Sequence, residues 1–249
     1  DDQTTDDVTL NTPIDLSGHG HSGKVVINSQ GTVTLNSTIK VSESAGPTPS
    51  TRGGVIDIKS QKQTGTAINV SSTAQLLSLL NAAAPGPSGS IKFQSQGGMI
   101  QVNGATLQAD RGAIDFKNMG KDGVIALQDA NLHADSIKIR ALGKNGQLNI
   151  GGGTISADTV ILLYAGGSNG AVNFTDNVNL SGTSVKTITG ATVTIQNGKV
   201  VTIGGPAPAS VFTDHPNYSG SGGNNTTTGT FGGAGATTRS LHAGPGPNG

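Results

Sequence analysis

The amino-acid sequence predicts an all-β fold, a right-handed parallel β-helix (β-solenoid) of about seven to eight coils with little or no α-helix. Three observations lead to this prediction. The composition suits strands and turns, good helix formers are scarce, and short apolar strands recur at a fixed spacing along the chain.

The composition favours strands joined by tight turns. Gly supplies 39 of the 249 residues, aromatic residues 3% and charged residues 12%. Val, Ile, Leu, Thr, Ser and Asn fill most of the remainder, and these residues favour strands and turns. Glu43 is the only Glu, so the chain lacks one of the strong helix formers and we expect very little helix.

A repeat of strand triplets sets the coil length. The last four triplets start 23 residues apart, at Ile91, Ile114, Ile137 and Val160. Each is followed by a Gly-containing turn, a second alternating run, and a third short element with one apolar anchor such as Leu132. Such a period fits one coil of a solenoid whose strands pair in parallel with the coils above and below.

Departures from the repeat divide the chain into three parts. Residues 1–7 are predicted to form a polar N-terminal extension, 8–205 the β-helix, and 206–249 a Pro/Gly/Thr/Asn-rich C-terminal extension. Packing of that extension on its own rod or on a neighbouring one is a hypothesis about assembly. Pro- and Gly-containing stretches indicate inserted loops at 42–54 and 75–90. The apolar run in the second loop is interpreted either as a one-turn helix capping a groove or as a patch folded onto the rod.

Composition also argues against several classes of partner and chemistry. Net charge is zero and the cations are scattered along the sequence, so we expect no nucleic-acid partner. The absence of Cys removes disulfides and thiolate catalysis. No apolar run approaches the ~20 residues of a transmembrane helix. The polar start suggests a processed or excised segment, so the sequence does not decide between a whole mature protein and a fragment.

Two sets of charged residues are candidates for chemistry. The middle residues of four triplets, Asp57, Lys92, Asp115 and Lys138, are expected to stack outside the rod with alternating sign. The interpretation we favour is charge balance that fixes the strand register. The alternative is a surface acid–base pair, which is disfavoured because exposed ion pairs seldom perform chemistry.

The second set contains Asp110, Asp135 and Asp158, which each follow an Ala before the next triplet. Stacked carboxylates could bind Ca²⁺ or act as the acid and base of a glycosidase. Corner Asp residues that accept backbone hydrogen bonds are the simpler interpretation. His19 and His21 are weak evidence for a metal. We therefore predict no catalytic, cofactor-binding or metal-binding residues, and no cofactor.

The chain resembles the filamentous-haemagglutinin class of secreted bacterial β-helix repeat proteins over about residues 8–205. The likeness lies in coils such as Gly97 to Gly104, and in the segment Lys186 to Ala209, which is similar to the closing part of such proteins. The resemblance implies an exported, cell-surface adhesive or scaffolding rod. The amino-terminal secretion module of that family is not recognisable, and no catalytic residue is carried over.

These observations together predict a non-enzymatic structural or adhesive β-solenoid, extracellular or on the bacterial cell surface. Self-association into a filament or homo-oligomer is the expected partnership, with a surface or glycan ligand as a further option. The alternative is a polysaccharide-binding or polysaccharide-degrading β-helix that uses Asp110, Asp135 or Asp158 with Arg111 or Arg140. A third option is adhesion through the inserted loops.

Overall fold

The structure, a computed structural model, describes residues 6–19, 23–44, 53–79, 89–183, 185–196, 198–204 and 238–242. For residues 19, 43, 44, 185 and 238–242 it describes the backbone only. Most of both predicted extensions, and the predicted loop residues 45–52 and 80–88, lie outside these ranges. All regular secondary structure in the described residues is β-strand.

The strands stack in three columns, which we call faces A, B and C. Face B contains Val8–Leu10, Val33–Leu35, Thr66–Val70, Met99–Asn103, Val124–Gln128, Gln147–Gly151, Ala171–Phe174 and Thr192–Ile195. Face C contains Ile14–Asp15, Ile39–Lys40, Gln75–Ser78, Val178–Ser181, Val200–Gly204 and Thr238–His242. Face A contains Lys24–Ser29, Val55–Ser60, Ser90–Ser95 and Val185–Thr189. Three long strands run from face C into face A: Thr106–Asn118, Asn131–Ala141 and Thr154–Ala165.

Strands of successive coils pair in parallel with a register that repeats from coil to coil. Ile91 pairs with Ile114, and Ile114 pairs with Ile137. On face B, eight strands form one continuous parallel sheet. A small pair, Gly18–His19 with Glu43–Ser44, lies beside the first coils. The predicted parallel β-solenoid is confirmed, while its right-handedness stays a prediction.

One predicted repeat position is wrong by a single residue. Ile137 pairs with Ile161, whereas Val160 pairs with Ser136. The shift arises in the corner between faces C and A, where one coil has Asp135 alone and the next has Asp158 and Thr159. Since side chains alternate sides along a strand, the extra residue moves Ile161 into the apolar column.

The interior consists of stacked apolar columns from all three faces. Ile56, Ile91, Ile114, Ile137 and Ile161 form one column and are each 0% exposed. In the next column of face A the rings of Phe93 and Phe116 stack with centroids 4.7 Å apart and planes within 8°. Because each coil alone could not enclose a core, this continuous interior is what holds the rod together.

The two predicted inserted loops begin later than expected. Gln75–Ser78 is a face C strand, and Leu76 lies between Ile39 and Leu107 in the buried column. Neither a capping helix nor a separate apolar patch forms at 75–78. A run rich in Leu hid the strand alternation, because Leu77 points outward between two inward residues. In the first loop, Glu43 and Ser44 form a short strand.

The corner between faces A and B is built on a buried polar column. Ser60 Oγ donates to the Gly31 carbonyl (2.6 Å), and Ser95 Oγ donates to the Gly98 carbonyl (2.6 Å). Asn118, also fully buried, makes three backbone hydrogen bonds: its Nδ2 donates to the carbonyls of Gly98 (2.9 Å) and Val124 (3.1 Å), and its Oδ1 accepts from Gly120 N (3.0 Å). These bonds satisfy backbone groups that turn away from the strand ladders.

Replacing Asn118 with Ala is expected to lower the free energy of unfolding by about 2 kcal/mol, since the lost side chain leaves buried backbone groups unsatisfied. Urea unfolding followed by circular dichroism measures the effect. Asn173 is the control: its Nδ2 donates to Asn149 Oδ1 (2.9 Å) on the outside of face B. Its change to Ala should cost about 0.5 kcal/mol or less. Equal costs for the two variants would contradict the structural role of the corner.

Part of the predicted C-terminal extension returns to the rod. Thr238–His242 pairs antiparallel with Val200–Gly204, the last coil strand of face C. In the described residues it is the one antiparallel strand on a parallel stack. Its pairing covers the backbone edge that face C would otherwise present at this end.

Candidate binding surface

On its first six coils, the outside of face A presents two columns of side chains, which lie two residues apart along each strand. The first column is Val26, Asp57, Lys92, Asp115, Lys138 and Leu162. The second column is Asn28, Lys59, Gln94, Lys117, Arg140 and Tyr164. Neighbouring side chains in a column lie about 4.8 Å apart along the rod, and the columns lie about 7 Å apart.

The predicted stacking of the first column is confirmed, but its charges do not pair along the column. Lys92 lies between Asp57 and Asp115 in the register. The ion pairs run to the second column instead. Asp57 contacts Lys59 (2.9 Å), and Asp115 accepts two hydrogen bonds from Arg140 Nη2 (2.9 and 2.7 Å). Both carboxylates are therefore used by second-column cations.

A surplus of positive charge results, and we call this surface the cationic face. It comprises the two outward columns of face A and the corner that follows them, and its cations are Lys59, Lys62, Lys92, Lys117, Lys121, Lys138, Arg140 and Lys144. Eight cations of the chain's 15 thus share one side of the rod with Asp57, Asp115 and Asp122. The cations are scattered in the sequence but not in the fold.

The ammonium groups of five lysines on the cationic face make no ion pair or hydrogen bond with other described residues: Lys92, Lys117, Lys121, Lys138 and Lys144. Lys92, Lys121, Lys138 and Lys144 are exposed, and Lys117 is half-buried. Lys62, by contrast, donates to Thr32 Oγ1 (2.7 Å). The free ammonium groups are available to an anionic partner.

The strands of face B provide the opposite surface chemistry. They contain no charged residue. Their outward side chains are chiefly amides and hydroxyls such as Thr34, Gln101 and Asn149, and Asn149 accepts from Asn173 Nδ2. The rod is therefore electrically uneven around its circumference although its net charge is zero.

A polar ladder supports the corner that bears Lys121 and Lys144. Asn145 Nδ2 donates to Asp122 Oδ1, and Asn169 Nδ2 donates to Asn145 Oδ1 (2.9 Å). Below the side chains, Asn145 N donates to the Lys121 carbonyl (2.9 Å). Stacked turns of this kind hold the two lysines at the same place on successive coils.

An open groove of about 550 Å³ borders the cationic face. Its floor is Gly97 and Met99, and its walls are residues 63–66 on one side and Gly120 to Asp122 with Val124 on the other. The groove exists because the corner 96–98 has three residues, whereas the corners of the adjacent coils, 61–65 and 119–123, have five. Hydroxyl, amide, ammonium and carboxylate groups meet there.

The three Asp residues of the second predicted set lie in the corner between faces C and A. Asp110 Oδ1 accepts from Gln108 Nε2 (2.7 Å). The backbone carbonyls of Asp135 and Asp158 accept from Thr159 Oγ1 (2.9 Å) and Thr183 Oγ1 (2.8 Å) of the following coil. The corners contain different numbers of residues, so the carboxylates do not form a regular column.

Metal-binding geometry is not found in the part of the chain that the structure describes. Within those residues no group of three or more His, Asp or Glu side chains could hold an ion. His21 and the side chain of His19 lie outside the described residues. The prediction that the Asp residues serve as corner residues stays a prediction for their side chains.

Lys186 is an unexpected residue in the core. It pairs with Ile161 and continues the buried isoleucine column, with 0% exposure. Its Nζ donates to the Gly182 carbonyl (3.0 Å). Burial lowers the pKa of Lys186 below its ordinary value, because the charged form loses hydration. The triplet pattern could not reveal this position, since a Lys in the repeat looks like an outward residue.

Replacing Lys186 with Met is expected to raise the free energy of unfolding at neutral pH by about 1–2 kcal/mol, because an apolar side chain of similar length suits the column. The unfolded chain binds the Lys186 proton more tightly than the folded one. Wild-type stability should therefore rise relative to the variant as pH increases towards the ordinary lysine pKa. Paired urea titrations at pH 7 and pH 10 measure this. If the difference in unfolding free energy between the variant and the wild type were larger at pH 10 than at pH 7, the burial of Lys186 would be contradicted.

Comparisons with protein-family models, curated proteins and solved structures found no match for this chain. Among the described residues, no helix is long and apolar enough to cross a bilayer. The fold assignment thus rests on strand register and the functional assignment on surface chemistry.

Proposed function

We propose that this chain is a non-enzymatic structural and adhesive rod, located outside the cell or on a bacterial cell surface, that self-associates through its ends. The observation behind the proposal is one apolar interior that connects the described coils from Val8 to Ile203, with Lys186 as a charged residue in one column. A rod of stacked coils places surface groups at fixed spacing along its length. The resemblance to secreted haemagglutinin-type proteins agrees with this role and stays a prediction.

The end of the rod near the first coil supports self-association. In the described residues, the face A strand Lys24–Ser29 pairs on one side only, with Val55–Ser60. The edge that the described residues leave unpaired presents backbone donors and acceptors that another strand can pair with. Two large apolar side chains beside this edge are exposed, Leu16 (42%) and Val26 (44%). An edge with exposed apolar groups favours docking of a second copy.

Sedimentation velocity over a hundredfold dilution range, combined with negative-stain electron microscopy, tests the proposal. The wild-type chain is expected to form end-to-end assemblies that dissociate on dilution. Val26→Lys should shift the equilibrium towards the monomer, because a charge at a strand edge opposes pairing. Leu142→Lys is the matched control, since Leu142 is similarly exposed (40%) but lies in a corner further along the rod.

Two results would contradict the proposal. One is a wild-type chain that stays monomeric at every concentration. The other is loss of assembly in both lysine variants alike, which would mean that surface charge, not the open edge, governs association.

A further inference from the structure

We propose that the cationic face binds a linear acidic polysaccharide, a chain with a negative charge on each sugar unit, laid along the rod axis. The proposal names a ligand class for the adhesive role given above and rests on that role only for its biological setting. Its physical basis is the arrangement of Lys92, Lys117 and Lys138 with the bordering groove.

The charge surplus is local and uncompensated. The carboxylates of Asp57 and Asp115 are already paired with Lys59 and Arg140. The lysines beside them keep free ammonium groups. An anionic polymer would therefore meet unpaired cations and would not have to displace existing ion pairs. Its binding would also reduce the repulsion among the neighbouring lysines.

The spacing suits a linear partner. Four successive coils provide cations, from the strand with Lys59 to the strand with Arg140. At about 4.8 Å per coil they span roughly 14 Å. Because the β-ladder fixes the backbone at these positions, no backbone ordering is needed on binding.

The chemistry favours a polysaccharide over a nucleic acid. Phosphates on one strand of a duplex repeat every ~3.4 Å, out of step with coils spaced by ~4.8 Å. Single-stranded nucleic acid is bound by a series of aromatic platforms. On the outer columns of face A, Tyr164 is the one aromatic residue among the described positions. It follows Arg140 in the second column.

The groove adds groups that suit a sugar ring. Gln63, Thr64 and Thr66 line one wall, and Lys121 with Asp122 lines the other. Amide, hydroxyl and carboxylate groups bind sugar hydroxyls, and Lys121 can pair with an acidic substituent. Met99 supplies an apolar surface on the floor. A polymer on the cationic face can thus seat one unit in the groove.

Biolayer interferometry with immobilised chain tests the inference. The probes are polygalacturonate and dextran sulfate, with uncharged dextran and a single-stranded oligonucleotide of matched charge as comparisons. We expect both acidic polysaccharides to bind, dextran not to bind, and the affinity to fall with added salt. The double variant Lys117→Gln/Lys138→Gln should weaken binding about fivefold.

The matched control is Lys40→Gln/Lys199→Gln, which removes the same charge from other parts of the surface. It should bind as the wild type does. Equal weakening in both double variants, or no binding by the wild type, would overturn the inference. Oligonucleotide binding as tight as that of the polysaccharides would also overturn it, in favour of a general polyanion surface. Sedimentation velocity on the same samples reports the assembly separately, so failure of one proposal is distinguishable from failure of the other.

Discussion

Replacing Phe116 with Ala should lower the free energy of unfolding by about 4 kcal/mol, a large loss for a single substitution. Phe116 is 0% exposed and its ring stacks on that of Phe93. The variant loses both the transfer free energy of the ring and the aromatic contact, and it leaves a cavity between rigid β-ladders that cannot collapse. Urea unfolding monitored by circular dichroism measures the loss.

Two further variants separate this effect from a general sensitivity of the strand. Lys117→Ala changes the neighbouring outward residue and should alter stability by about 0.5 kcal/mol or less. Phe116→Leu keeps most of the apolar volume and should recover more than half of the loss. If Phe116→Ala cost no more than Lys117→Ala, the phenylalanine ring could not lie in a packed interior.

Replacing Gly143 with Ala is expected to lower the free energy of unfolding by about 3 kcal/mol. The corners of faces A and B stack so closely that a Cβ on Gly143 would lie 1.9 Å from the Gly120 carbonyl oxygen. Gly120 also lies close to its own neighbour, with a Cβ position 2.3 Å from Gly97 Cα. A methyl group would therefore have to push adjacent coils apart. Thermal and urea unfolding would both report the change.

Gly65→Ala provides the matched control. Gly65 has φ +64° but no atom within 4 Å of the Cβ position. Alanine there should cost only the strain of a left-handed conformation, about 1 kcal/mol. A Gly143 variant as stable as the Gly65 variant would show that the stacking of the corners is looser than described.

The fold was predictable because burial alternates strictly within short strands. Ile114 and Phe116 face inward with Asp115 outward between them, and the same pattern recurs in the next coil. The predictions were wrong where the local sequence hides which residues of a strand point inward. The extra residue before Val160 moved the apolar column to Ile161, and the Leu-rich run at Leu76 indicated part of an inserted loop instead of a strand.

The binding surface was only partly predictable. The stacking of Lys92 on Asp57 and Asp115 followed from the repeat. The diagonal pairing of Asp115 with Arg140 did not, because it depends on side-chain reach between two columns. Nor could the groove be foreseen, since it results from unequal corner lengths in neighbouring coils. Lys186 shows the same limit, because only the register reveals that it is an inward residue.

The parallel stacking of coils, on which every proposal depends, can be tested most directly by disulfide trapping. The chain contains no Cys, so engineered pairs give an unambiguous signal. Ala126 and Asn149 are register partners on face B, and Asn173 lies one coil further on. The pair Ala126→Cys/Asn149→Cys should oxidise readily, since its Cα atoms are about 4.8 Å apart, within disulfide reach. The pair Ala126→Cys/Asn173→Cys, two coils apart, should not form an intramolecular disulfide. Efficient cross-linking of the second pair, or none in the first, would contradict the stacked solenoid.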